Sequence, residues 1–185
     1  MNFDDDVFWT GVRFPASPPG IKMKWPLRDK TPAIPEIGSV GDFAFRRSFY
    51  YHPGVDVYCG FGQEIQAIED GEVVHIENFT GPNANPPSPW WLETWSILIE
   101  GAHGVLGYCE IKPLPHIKVG YKVTEGELIA TVVPVLKKDK GNGTTMLHFE
   151  MYMSGTRHHV TWELDTIKPL ELMNSRFLLE KIIDQ

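Results

Sequence analysis

A chain of 185 residues suffices for one domain with a real core and is short for two. Hydrophobic residues at 42% and charged residues at 22% exclude a disordered polymer, and the formal charge of −7 disfavours nucleic acid and anionic lipid as partners, since both are themselves negative. No stretch approaches the roughly 20 apolar residues that a membrane span needs, so none is expected.

The N-terminus, Met1-Asn2-Phe3-Asp4-Asp5-Asp6, is acidic where a secretory signal is basic and then apolar. That leaves a cytoplasmic chain, one exported by a non-classical route, or one whose signal was trimmed away. Residues 1–40 read as an irregular, proline-rich arm. Pro15, Pro18, Pro19, Pro26, Pro32 and Pro35 each fix φ and remove a backbone donor, which rules out a long helix or a central strand. Phe3, Phe8, Trp9, Phe14 and Trp25 predict that the arm packs on the domain rather than floating free.

From residue 41 the pattern changes to short apolar runs punctuated by glycine. Val55–Tyr58, Gln63–Glu69, Glu72–Glu77, Trp95–Glu100, Val105–Ile111, Lys118–Val123, Glu127–Val133 and Thr145–Met153 are predicted strands, rich in β-branched and aromatic residues. Turns are marked by Asp70-Gly71, Gly101 to Gly104 and Glu125-Gly126. Many short strands without a crossover helix predict an all-β fold, mainly an antiparallel sandwich or barrel-like sheet. One short C-terminal helix is expected, capped by Ser175 and running through Phe177, Leu178, Ile182 and Ile183. Residues 79–94 break the rhythm: Pro82, Pro86, Pro87 and Pro89 followed by Trp90 and Trp91 form a long loop, and such loops often carry function. Cys59 and Cys109 make no scaffold of bridges and read as small, half-buried thiols, with pairing between them left open.

The chemistry-bearing residues lie in two motifs. In His52-Pro53-Gly54-Val55-Asp56 the Pro-Gly step bends the chain as a strand begins, bringing an imidazole and a carboxylate toward one point. Both are good zinc ligands, although such a pair taken alone is more often a surface contact. In Met146-Leu147-His148-Phe149-Glu150-Met151-Tyr152, strand alternation sends Leu147, Phe149 and Met151 into the core and places Met146, His148, Glu150 and Tyr152 on the other face. His75, His103, His116, His158 and His159 are expected to be solvated or structural, with His103 and His116 held in reserve as cleft residues. Arg46 and Arg47 are expected to pair with carboxylates, either structurally or lining the cleft.

Together these motifs resemble those of the lysostaphin/LytM-type zinc metallopeptidases, which cut peptide cross-links in bacterial cell walls. The resemblance runs from about Phe43 to Tyr152. It includes His-x-Gly-x-Asp at 52–56, Gly62, the segment Ile65-Gln66-Ala67-Ile68-Glu69-Asp70-Gly71-Glu72-Val73, and Val119-Gly120 through Val123, Gly126, Ile129 and Ala130. It closes on Leu147-His148-Phe149-Glu150. The resemblance implies one zinc ion held by His52, Asp56 and His148, a fourth position for water, and peptidoglycan peptide or a related protein as substrate. It also implies a LytM-like domain over 41–185 following the arm.

Two positions depart from the family pattern. Met146 replaces the first histidine of the His-x-His pair, and Glu110 replaces the histidine of the Tyr-x-His strand, here Tyr108-Cys109-Glu110. By alternation Tyr108 and Glu110 share a face, so Glu110 is expected as general base, with Tyr108 steadying the oxyanion. The alternative is a catalytically impaired, zinc-binding recognition module using the Trp90–Trp91 loop. A carrier module of the biotinyl type shares the strand–glycine rhythm, but it has no use for Asp56.

Overall fold

The computed structural model describes residues 20–138 and 145–184. The strands are β1 (Tyr50–Tyr51), β2 (Gly54–Tyr58), β3 (Glu64–Gln66), β4 (Gly71–Thr80), β5 (Thr94–Gly101), β6 (Gly104–Pro113), β7 (Lys122–Val123), β8 (Leu128–Val132), β9 (Met146–Tyr152), β10 (Trp162–Glu163) and β11 (Leu172–Met173). Helix α1 spans Ser175–Ile183. The protein is all-β, as its short runs predict, and its strand pairs are antiparallel. Nine strands form one sheet along the path β11-β9-β6-β5-β4-β7, with β2 on β9 and β8 joining β3 to β6; it does not close into a barrel.

Alternation decides which side chains fill the core. On β2, Val55 and Val57 are buried opposite Phe149 and Leu147 of β9, which leaves Asp56 opposite His148 on the other face. Strand β6 adds Leu106, Tyr108 and Ile111 to the same core, and β5 adds Ile97 and Ile99. Of the N-terminal arm, Trp25 and Leu27 are buried in this core, and the backbone pairs through Lys24 N–H to Ile68 O (2.9 Å) and Gln66 N–H to Pro26 O (2.9 Å). Phe3, Phe8, Trp9 and Phe14 lie outside the described residues.

Some predicted boundaries shift. The run 118–123 is mostly a turn, with only Lys122–Val123 paired, and the two-residue strands β1, β10 and β11 are too short to register as a pattern. The helix is capped one residue earlier than expected: the Asn174 side chain accepts from Arg176 N–H at 3.0 Å, and Ser175 is already helical. Leu178, Leu179 and Ile182 bury one side of that helix, and Ser175 Oγ donates to Phe149 O (3.0 Å), fixing α1 against β9.

Candidate metal centre

His52 stands between β1 and β2, Asp56 on β2, and His148 opposite it on β9. Gly54 makes this approach possible. A Cβ there would lie 2.5 Å from Phe149 O and 3.0 Å from His148 Cε1, so only glycine lets the strands come this close. Three donor atoms converge: His52 Nε2 lies 3.0 Å from His148 Nδ1 and 3.0 Å from Asp56 Oδ1, and His148 Nδ1 lies 2.7 Å from Asp56 Oδ1.

The outward nitrogens fix the tautomers. His52 Nδ1 is 2.8 Å from the carbonyl of Asp42, which only accepts, so that nitrogen carries the proton. His148 Nε2 donates to the Glu150 carboxylate at 3.0 Å. In the neutral rings, both remaining nitrogens therefore point lone pairs at each other and at a carboxylate oxygen. Such a triad repels itself unless a cation or an extra proton sits in its midst. Tetrahedral ligands at ~2.0–2.1 Å from zinc stand ~3.3–3.4 Å apart, a modest spreading of these edges, so the donor set fits such an ion.

Electrostatics agree with that picture. Burial pushes the His52 imidazole below its ordinary value. Burial also works against the charged forms of Asp56 and His148, yet the two histidines hold the Asp56 carboxyl far below the usual range. Hydrogen bonds to Asp56 and Glu150 outweigh that burial and lift the His148 imidazole to about 10. Arg47 Nη2 binds the other Asp56 oxygen at 2.7 Å, leaving one oxygen facing the histidines.

This centre forms the floor of a cleft of about 710 Å³, walled largely by apolar side chains including Phe79, Pro86, Trp90 and Trp162. The expected loop contributes a wall. Thr80 Oγ1 to Leu92 O (2.8 Å) and Leu92 N–H to Val135 O (2.8 Å) tie it down, while Trp90 stays 65% exposed rather than sealing the core.

Glu110 also lines the cleft, and its Oε2 is buried without a hydrogen-bond partner among the described residues. Burial, then the neighbouring Asp56, push its carboxyl up to about 8. Tyr108 is not brought to the site. It is 1% exposed, its ring meets Phe149 edge-on, and its hydroxyl accepts from Ile68 N–H at 2.9 Å. The alternation that predicted a shared face fails because Glu110 is a bulge with φ of 64°. Up to Cys109, β6 pairs with β9; from Ile111 it pairs with β8, and Glu110 is the extra residue at the changeover.

His159, expected in solvent, lies in the cleft wall instead. Its Nδ1 meets Glu150 Oε2, its Nε2 meets Ser96 Oγ at 2.8 Å, and its ring packs on Phe79. The available signal was Glu150, a carboxylate facing inward beside His148 and therefore needing a partner. Burial opposes the Glu150 charge, but His159 and His148 hold that carboxyl well below its usual range. His103 does not reach the cleft; its Nδ1 lies 2.5 Å from buried Glu69. His116 stands 3.6 Å from Glu127. Both cysteines are free thiols.

Residues 50–160 match Peptidase family M23. The chain belongs to that family. No curated protein matches the sequence. Among solved structures, Helicobacter pylori Csd3 is similar at 19% identity and a TM-score of 0.46, over 89% of this chain and 40% of that one. Lysostaphin is similar at 16% identity and a TM-score of 0.47, over 88% of this chain and 51% of that one. The M23 chain described here thus spans about half or less of the length of these proteins. The M23 match begins just before His52 and ends just after His159, so Asp42, Arg47 and α1 lie outside it.

Proposed function

We propose that this M23 domain is a zinc-dependent endopeptidase that cleaves peptidoglycan peptides or related cross-linked peptides, with the ion held by His52, Asp56 and His148. The observation that carries the reading is the convergence of two imidazole lone pairs and a carboxylate oxygen within 3.0 Å on the cleft floor. Zinc, when bound, would polarise a scissile carbonyl and make a water more acidic.

The chain's own residues supply the rest. Glu150 and the Asp42 carbonyl orient the two imidazoles, and Arg47 turns the Asp56 carboxylate. Glu110 presents on the wall a buried carboxylate oxygen without a partner among the described residues, where it accepts a proton from the attacking water and returns it to the departing amine. A carboxyl lifted toward neutral pH suits both halves of that exchange. The aromatic wall excludes water and seats the peptide.

The second reading, a zinc-bearing recognition module without turnover, is favoured by Met146, a thioether lining the cleft that cannot exchange a proton. One experiment separates the two. Purified protein is assayed for zinc, then incubated with cross-linked muropeptides with and without chelator, beside Glu110→Gln. The endopeptidase reading expects about one zinc per chain, chelator-sensitive cleavage, and a loss of about 10²–10⁴-fold in the variant with zinc retained. Zinc-loaded protein that leaves the peptides intact overturns it in favour of recognition alone.

A further inference from the structure

Two contacts to the three converging side chains come from outside the family-matched region, Arg47 on Asp56 and the Asp42 carbonyl on His52, and the second leads on to the far end of the chain. The His52 ring is oriented by the backbone carbonyl of Asp42, which accepts its Nδ1 proton at 2.8 Å. That carbonyl is only as fixed as the turn that carries it. The turn closes with Asp42 N–H to Ser39 O (3.0 Å), and Asp42 Oδ2 accepts from Gly38 N–H at 2.7 Å.

The other carboxylate oxygen, Asp42 Oδ1, is bound by Arg176 Nε at 2.7 Å. Arg176 lies 134 positions away on α1 and also binds Pro35 O through Nη2 and Glu180 Oε1 through Nη1 at 3.0 Å. Both members of the Arg176–Asp42 pair are nearly dry, with side chains 8% and 7% exposed. A guanidinium in that setting spans both ends of the 35–42 turn and locks it to the helix. The helix is itself pinned to β9 through Ser175 and Phe149. The chain of contacts therefore runs from β9, which carries His148, through α1 and Asp42 to His52.

We infer that Arg176 is a positioning residue for the metal centre: through Asp42 it holds the His52 ring so that Nε2, not Nδ1, faces Asp56 and His148. This inference rests on the reading of His52 as a ligand. It means that the segments flanking the M23 match complete the outer support of the ion rather than merely decorating the domain. Residues that orient metal-binding histidines commonly change metal affinity by about 10–100-fold when removed.

The test measures zinc affinity of the full chain by competition with a chromogenic chelator, together with the 15N resonances of the His52 ring. For Arg176→Ala the expected result is at least a tenfold weaker zinc affinity and loss of the slowly exchanging His52 Nδ1–H signal, with the far-UV spectrum unchanged. Glu180→Ala cuts the helix-side partner of Arg176 without touching Asp42, and its affinity is expected within twofold of the parent. If Arg176→Ala does not fold, Asp42→Asn keeps the carbonyl, removes the ionic half of the clamp, and is expected to weaken zinc at least threefold. A folded Arg176→Ala with parental affinity overturns the inference. So does Asp42→Asn with parental affinity, or Glu180→Ala weakened as much as Arg176→Ala, which would mark general loosening of the helix. A parent protein that binds no zinc would instead overturn the reading of the centre itself.

Discussion

Two positions apart on β6, Tyr108 and Glu110 meet opposite surroundings. The Tyr108 hydroxyl is the acceptor for a buried backbone N–H, that of Ile68, and burial raises its phenol above the ordinary value. Such a group lies in the core rather than in the cleft wall, and burial opposes the loss of its proton. Tyr108→Phe leaves the Ile68 N–H unpaired inside the protein, which costs about 1–3 kcal/mol. In a chain of this size that lowers Tm by roughly 2–4 °C per kcal/mol. The expected outcome is a clear drop in thermal stability with zinc affinity and any peptide cleavage unchanged, read by calorimetry, zinc titration and muropeptide assay. A hundredfold loss of cleavage in a variant that melts normally would return Tyr108 to the chemistry.

At the scale of single elements, β9 was fully legible in the sequence and β6 was not. The alternation of Leu147, Phe149 and Met151 against His148 and Glu150 holds because β9 carries no bulge: its register against β6 and β2 is unbroken, and β11 takes over from β2 at Met151 without an added residue. Strand β6 changes partner across an added residue, and a period of two cannot survive that insertion. Glu110 nonetheless lines the cleft together with Asp56 and His148. The place of His159 in the cleft wall is illegible in the sequence for a different reason. Its partners Glu150, Ser96 and Phe79 come from three separate strands, and no local spacing connects them.

Beside the three converging side chains, β2 and β9 approach closely at Gly54, where a side chain would collide with backbone rather than with a flexible tip. Gly54→Ala must push β2 from β9 and so separate Asp56 from His148. Zinc affinity is expected to fall more than tenfold, whereas Gly60→Ala, with no atom of the described residues within 4 Å of the added methyl, leaves it unchanged. Equal affinities in the two variants, measured by chelator competition, would mean that the strands tolerate the spreading and that the motif glycine serves another purpose.

On the scale of the whole molecule, the three converging residues join two parts of the chain that are 92 positions apart, Asp56 and His148. The arm and α1 are attached to the same two regions: Trp25 and Leu27 enter the shared core, and Arg176 reaches Asp42 beside His52. An ion bound there ties the fold together only in the native state, because the unfolded chain does not hold the three donors at one point. Binding to the native state alone adds about 2.7 kcal/mol at free zinc one hundredfold above its Kd, which at about 2–4 °C per kcal/mol corresponds to a rise in Tm of about 5–10 °C. Calorimetry of the chelator-stripped protein against the zinc-loaded protein reads this directly. His148→Ala removes one corner of the triad and is expected to abolish the rise while leaving a cooperative transition. A rise of the same size in His148→Ala would place the stabilising ion elsewhere, because a site that lost an imidazole could not bind as tightly with two donors as with three.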